Sequence, residues 1–263
     1  MTVITLTTES PSDFHTAILK GILLSGIPSA QIIDISRQSY KFNTGVLCAA
    51  YMVKQSYKYF PKGSIHIISI SSEYKDNAPF TAAFYNEHYF IGSDNGIFGM
   101  LFDSEPDEII RIEKYNDNIS PNYPAISVFA PAAIHIANGG DINELGPNYS
   151  DYQPKKISQA TEEESKITGT VIHINTYGNV ITNVTRYDFE RVGRGRPFEI
   201  LIQSIRNKIT SINRYFNETS DGEILAVFNI AGHLEIAQHK GNISEMLHIQ
   251  LGSNILIKFF DKS

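Results

Sequence analysis

Cys48 is the only cysteine of the chain. No disulfide can form within one copy, and the setting Val46-Leu47-Cys48-Ala49-Ala50-Tyr51 reads as core packing rather than thiol chemistry. Basic residues form no stripe. The 22 Lys and Arg are outnumbered by 28 Asp and Glu, and the net charge of -6 is dispersed, which argues against a nucleic-acid partner. No apolar run approaches the length that spans a bilayer, so no membrane partner is expected. The start, Val3-Ile4-Thr5-Leu6, is strand-like and carries neither a basic cluster nor a cleavage site; the expectation is a soluble cytoplasmic protein. The 8 histidines show no paired ligand spacing, such as two on one helical face with a glutamate, so no metal site is expected. There is no phosphate-cradling glycine loop: Gly92–Gly96 reads as a strand-to-helix turn, where Asp94-Asn95 either line a pocket or cap the helix. Internal repeats and low-complexity segments are absent too.

What is present suffices for a large core, since 42% of the 263 residues are apolar. The first half alternates strand and helix patterns. Val3–Thr7 reads as a strand, Asp13–Leu24 as a helix ending before Gly26 and Pro28, and Ile32–Ile35 as a short buried strand. An amphipathic helix over Thr44–Tyr59 stops at Pro61 and Gly63. Strands follow at Ile65–Ile70, Phe80–Tyr85 and His88–Ile91, the last two flanking an Asn-Glu turn; helices are expected at Asp94–Phe102 and Val128–Asn138. This alternation predicts a layered α/β domain with a mostly parallel sheet over residues 1–148. A polar, then acidic, stretch over 149–166 reads as a linker. Short strands separated by turns then predict an all-β, barrel-like domain over 167–263, with a helical turn at Ser244–His248.

Within that second half, Ile174–Asn183 places Tyr177, Gly178 and Asn179 between apolar flanks. A strand broken there exposes backbone and amide groups beside an aromatic edge, which suits a flat polar heterocycle; Gly-Asn equally serves a plain hairpin turn.

Several blocks, read in order, resemble the S-adenosylmethionine hydroxide adenosyltransferase family, the adenosine-forming SAM hydrolases related to fluorinase and chlorinase. They are Lys20-Gly21, Ile32-Ile33-Asp34-Ile35, the run Tyr59–His66, Gly92-Ser93-Asp94-Asn95-Gly96, Phe129-Ala130-Pro131-Ala132-Ala133, Glu144-Leu145-Gly146, the Tyr-Gly-Asn stretch, and Asn229 followed by Gly232–Ala237. The resemblance runs nearly end to end. It implies an α/β domain, a β-barrel, and a homotrimer with SAM held between the first domain of one subunit and the second domain of its neighbour. SAM enters as substrate or ligand, and no cofactor is implied. The implied reaction is displacement at the 5′ carbon by a water that an Asp, an Arg and a His position and activate.

The chain departs from that pattern where the chemistry would occur. The positions matching the family's Asp, Arg and His are Ser71, Ala78 and Pro124. Neither Ser71 nor Pro124 is a general base near neutral pH, and such help is worth about 10²–10⁴-fold. Glu73, Lys75 and Asp76 either form a displaced charged group or are the surface charges of a solvated loop. The position matching the serine that holds the halide in the halogenases is Ala125, so a halogenase reading gains nothing.

On the binding side, Glu9 stands where the family's Asp clamps the ribose hydroxyls. It is read as a ribose partner or as a cap before the first helix. Asp13 is a further candidate with the same alternative, and Phe42 matches an aromatic wall position or is plain core. Tyr177 and Asn179 match an aromatic and an amide that hold adenine. Asn175 replaces the Asp that binds the methionine ammonium, and Ile230-Ala231 replace a polar pair that holds its carboxylate, so methionine recognition is expected to weaken. Backbone groups at Ala237–His239 are expected to contact adenine still. His15 stands where the family has an aromatic residue near the ribose. The expectation is a divergent member that binds SAM or an adenosine-like ligand, with hydrolysis reduced or absent. The alternative is an active hydrolase using displaced groups.

Overall fold

Val3–Thr8 form β1, six successive buried residues rich in β-branched side chains, as a central strand covered on both faces requires. The computed structural model describes residues 1–9, 13–35, 45–76, 78–113, 122–202 and 204–261. These fall into two units, one ending at Lys156 and the other starting at Ile157.

In the first unit, β1 is followed by α1 (Phe14–Gly26), β2 (Gln31–Asp34), α2 (Val46–Ser56), β3 (Ile65–Ser69), β4 (Phe80–Tyr85) and β5 (His88–Ser93). Then come α3 (Ile97–Leu101), β6 (Glu108–Arg111) and α4 (Ala130–Ala137). The sheet runs β2-β1-β3-β5-β4-β6. The first four strands are parallel, and β4 and β6 add antiparallel pairings at one edge. Asn86 and Glu87 both take positive φ between β4 and β5, the geometry of a two-residue hairpin turn.

Helices cover both faces. Leu19 and Leu23 of α1 pack with Ile4, Leu6, Phe129 and Ala133. Ala49, Ala50 and Val53 of α2 pack with Ile68, Phe90 and Phe98 on the other side. Each fully buried leucine contributes about 1.5–3 kcal/mol. Because β1 pairs with β2 on one side and β3 on the other, the chain reverses its direction of travel at β1. Such a reversal opens a crevice beyond the carboxyl ends of the two central strands.

Three expectations for this unit need correction. The strand read as buried Ile32–Ile35 is Gln31–Asp34, an edge strand with three of its four residues exposed, because among the described residues only β1 flanks it. The helix read from Asp94 starts at Ile97, since Gly96 takes φ 98 and forms its N-cap. The helix read from Val128 begins earlier, with a π-type turn over Ala125–Phe129 that runs into α4. The strand Glu108–Arg111 escaped the sequence reading.

The second unit contains β7 (Thr161–Glu163), β8 (Lys166–Ile174), β9 (Val180–Thr185), α5 (Arg186–Gly193), β10 (Phe198–Ile202) and β11 (Ser204–Ile209). It closes with β12 (Ile224–Phe228), β13 (His233–Gln238), α6 (Ile243–Met246) and β14 (Asn254–Phe259). The strands pair antiparallel in the order β11-β10-β14-β8-β9-β13-β12, with β7 on β8, as a nearly closed barrel-like sheet. β7 lies inside the stretch read as linker. The inward residues Ile167, Val171, Ile200, Leu234, Ile236 and Ile257 fill the interior. Thr185 and Asp188 cap α5 reciprocally, and Phe189 of that helix meets Phe198, Phe228 and Phe259.

Candidate functional site

The crevice beyond β1 and β3 has a volume of about 370 Å³. Thr8 and Glu9 reach it from the end of β1, and Ser69, Ser71, Ser72, Glu73 and Lys75 from the end of β3. Asp13, His15 and Thr16 enter from the start of α1, and residues 122–126 close another side. Glu9, Asp13, Ser71 and Pro124 are therefore brought together. Ala78 is buried with its N–H bonded to Lys75 O at 3.0 Å, and is not among the lining residues. Phe42 lies outside the described residues.

Glu9 does not cap α1. Its Oε1 accepts the backbone N–H of Ser71 at 2.6 Å. Asp13 occupies the N-cap position, but its side chain makes no capping bond. Asp13 Oδ1 instead lies 3.5 Å from His15 Nδ1, and the His15 ring stacks on Tyr123 at 4.4 Å. Asp94 and Asn95 serve different ends. Asn95 Nδ2 donates to Ile70 O at 2.8 Å and Ser71 O at 3.2 Å. The fully buried Asp94 receives Tyr149 OH at 3.0 Å and the backbone N–H of Gln153 at 2.8 Å, so it clasps the 149–153 segment. Burial pushes its carboxyl above the ordinary carboxylate value, with the Gln153 and Tyr149 bonds and the Lys155 charge opposing.

In the second unit, Asn175 Oδ1 accepts the N–H groups of Tyr177 and Asn179, each at 3.0 Å, and so shapes the turn. The amide nitrogens of Asn179 and Asn175 donate to Glu235 at 2.8 and 3.3 Å. Tyr177 is 76% exposed and presents a free ring face, whereas Asn179 is buried. Gly178 has φ 79, and a Cβ there would sit 1.9 Å from Asn242 Oδ1. Asn229 Oδ1 holds the N–H groups of Ala231 and His233, leaving Ile230 almost wholly exposed at the tip of the β12–β13 turn. The backbone of His239 is engaged by Glu223 and Gly222, so it is less available to a base than its place after β13 suggests.

Glu235 and Tyr123 were not singled out by sequence reasoning as site residues. Glu235 carries the one detectable signal, an acid inside the apolar run Leu234–Ala237.

The family model for the SAM hydroxide adenosyltransferase N-terminal domain matches residues 4–146, and that for the C-terminal domain matches residues 169–256. The chain belongs to this family. A (R)-S-adenosyl-L-methionine hydrolase of Methanocaldococcus jannaschii is 27% identical over 267 residues, covering 94% of this chain and 92% of the relative. Another, of Thermus thermophilus, is 24% identical over 254 residues, covering 91% and 92%. In fold, an uncharacterized conserved protein from Thermotoga maritima superposes with a TM-score of 0.80 at 23% identity, covering 98% of this chain and 99% of that one. The SAM hydroxide adenosyltransferase domains thus span both units. The crevice lies in the part matched by the N-terminal domain, and the Tyr177 turn in the part matched by the C-terminal domain.

Proposed function

We propose that this protein binds S-adenosylmethionine or an adenosine-like ligand in the crevice beyond β1 and β3, with hydrolysis to adenosine and methionine reduced or absent. The observation that carries the binding half is the Glu9 carboxylate. One oxygen is fixed by Ser71 N–H, which aims the group, and the second, with no partner among the described residues, suits the adjacent hydroxyls of a ribose. The carboxylates of Glu9, Asp13 and Glu73 on the lining also favour a cationic sulfonium.

Family membership supports displacement at the 5′ carbon as the ancestral chemistry. A sulfonium is already a good leaving group, so no cofactor is needed, and the protein need only align a nucleophile and exclude competing water. Ser71, Ala78 and Pro124 supply neither a base nor a cation for that task. Asn175, Ile230 and Ala231 lack the charge that would hold a methionine ammonium and carboxylate. In the homotrimer that the resemblance implies, a neighbouring copy brings the exposed Tyr177 ring to the adenine, with Asn179 Oδ1 as the remaining amide acceptor.

A second reading, an active hydrolase with displaced groups, is favoured by one observation: His15, Glu73 and Lys75 line the same crevice. Calorimetry with adenosine and SAM tests the binding proposal, and adenosine is expected to keep most of SAM's affinity. Far tighter binding of SAM would refute the account of the methionine end, and binding of neither would refute the proposal.

A further inference from the structure

We infer that His15 is the proton acceptor for water that attacks an adenosyl sulfonium in this crevice, with Asp13 as its positioning residue. The inference rests on the proposed occupancy of the crevice by such a ligand. His15 is half-buried on the first turn of α1 and lines the crevice together with Glu9 and Ser71. Its ring is fixed by two neighbours: Tyr123, with centroids 4.4 Å apart and planes 22° apart, and Phe14, with centroids 3.8 Å apart. Asp13 Oδ1 stands 3.5 Å from Nδ1. At that distance the carboxylate acts on the ring through its charge rather than through a hydrogen bond, which favours a proton on Nδ1 and leaves Nε2 as the acceptor.

The other acceptors on the lining are less suited. Glu9 is committed to Ser71 N–H and, in the proposed binding mode, to the ribose hydroxyls, and Asp13 faces His15. Glu73 is exposed, and a carboxylate is a weaker base near neutral pH than an imidazole. In the step itself, the water oxygen bonds to the 5′ carbon as the carbon–sulfur bond breaks, and that electron pair returns to sulfur. The proton released by water passes to His15 Nε2 and then to solvent. One sulfonium and one water give adenosine, methionine and one proton, so no further reactant is required.

The test uses the full chain, with adenosine release from SAM followed by chromatography across pH 5–9 and SAM binding followed by calorimetry. The native protein is expected to release adenosine slowly, with a rate that depends on pH. His15→Gln should lose about 10²-fold in kcat or more while SAM affinity is retained, and free imidazole should partly restore His15→Ala. Asp13→Asn should lower kcat by about tenfold and change the shape of the pH profile, which a merely structural role would not do. If the protein binds SAM but yields no adenosine above a buffer blank, the inference fails and the proposed binding function stands. Unchanged rate and pH profile in His15→Gln overturn it equally. A protein that binds neither SAM nor adenosine overturns both.

Discussion

Glu9 and Ser71, 62 residues apart in sequence, are joined by a hydrogen bond of 2.6 Å from the Ser71 backbone N–H to the Glu9 carboxylate. The bond ties the end of β1 to the turn after β3. Ser71 is held at φ 45 while Asn95 donates to the carbonyls on either side of that residue, those of Ile70 and Ser71. The backbone N–H of residue 71 is the closer donor, its hydroxyl standing 3.5 Å from the same oxygen, and the backbone is what aims the carboxylate.

Glu9→Ala should therefore weaken a ribose-containing ligand by about 1–3 kcal/mol, read by calorimetry with adenosine. Ser71→Gly keeps the N–H and suits the left-handed backbone, so it should leave adenosine affinity unchanged. A weakened Ser71→Gly would show that the hydroxyl, and not the peptide, does the work.

The Tyr177 turn makes a separate prediction about stability. Gly178 combines φ 79 with an Asn242 contact that leaves no room for a Cβ. Asn242 Oδ1 also accepts Glu245 N–H at 3.0 Å and so caps α6. Gly178→Ala should cost about 2–3 kcal/mol, from left-handed strain and a displaced cap together. Gly252 has a similar φ of 78 with open space around it, so Gly252→Ala should cost only about 1–2 kcal/mol. Urea denaturation of the two variants isolates the Asn242 contribution; equal losses would remove it.

Glu235 is buried beneath the same turn, and both Asn175 and Asn179 donate to it. Glu235→Leu strands two amide donors and should destabilise by about 2–4 kcal/mol. Glu235→Gln keeps one carbonyl acceptor and should cost about 1 kcal/mol. Equal stability of the leucine and glutamine variants would show that the acid does not organise the turn.

These residues also show what could and could not be read in advance. The α/β and all-β halves follow from local periodicity, which each strand and helix carries in its own sequence. Asn175, Tyr177 and Asn179 could be named because they sit in one short block. The Glu9–Ser71 bond could not, since both partners are ordinary polar residues until the parallel pairing of β1 and β3 brings them together. Ile32 and Ile33 look buried by composition, but burial of β2 depends on its having a second neighbour, and it is an edge strand. Glu235 alternates with the inward Leu234 and Ile236, yet it is buried, with Asn175 and Asn179 of the turn donating to it. By contrast, the Thr185-x-x-Asp188 box that starts α5 was a local signal, available in the sequence and passed over.

Acid should destabilise the fold through its buried histidines. His66 is fully buried, with Nδ1 2.7 Å from Thr5 Oγ1 and Nε2 3.3 Å from His88 Nδ1, among Tyr57, Phe60 and Phe90. Burial, with the neighbouring His88 adding to it, pushes His66 down to about 3. His88 is also lowered, by burial first and then by the Lys62 charge, which Glu87 opposes. In the second unit, burial pushes His173 down to about 4. All three take up protons in the folded state only at lower pH than in the unfolded chain, where the ordinary value is about 6.5. Their neutral forms therefore favour folding at pH 7, and that advantage is lost as pH falls below about 6.5, down to about 3 for His66. Each such group contributes a slope of about 1.4 kcal/mol per pH unit within its window and none above it. Urea midpoints should be level from pH 7 to 8 and fall steadily from pH 6 to 4. His66→Gln, even if less stable at pH 7, should show a slope shallower by about 1.4 kcal/mol per pH unit between pH 4 and 6. A variant with the native slope would assign the acid sensitivity to other groups.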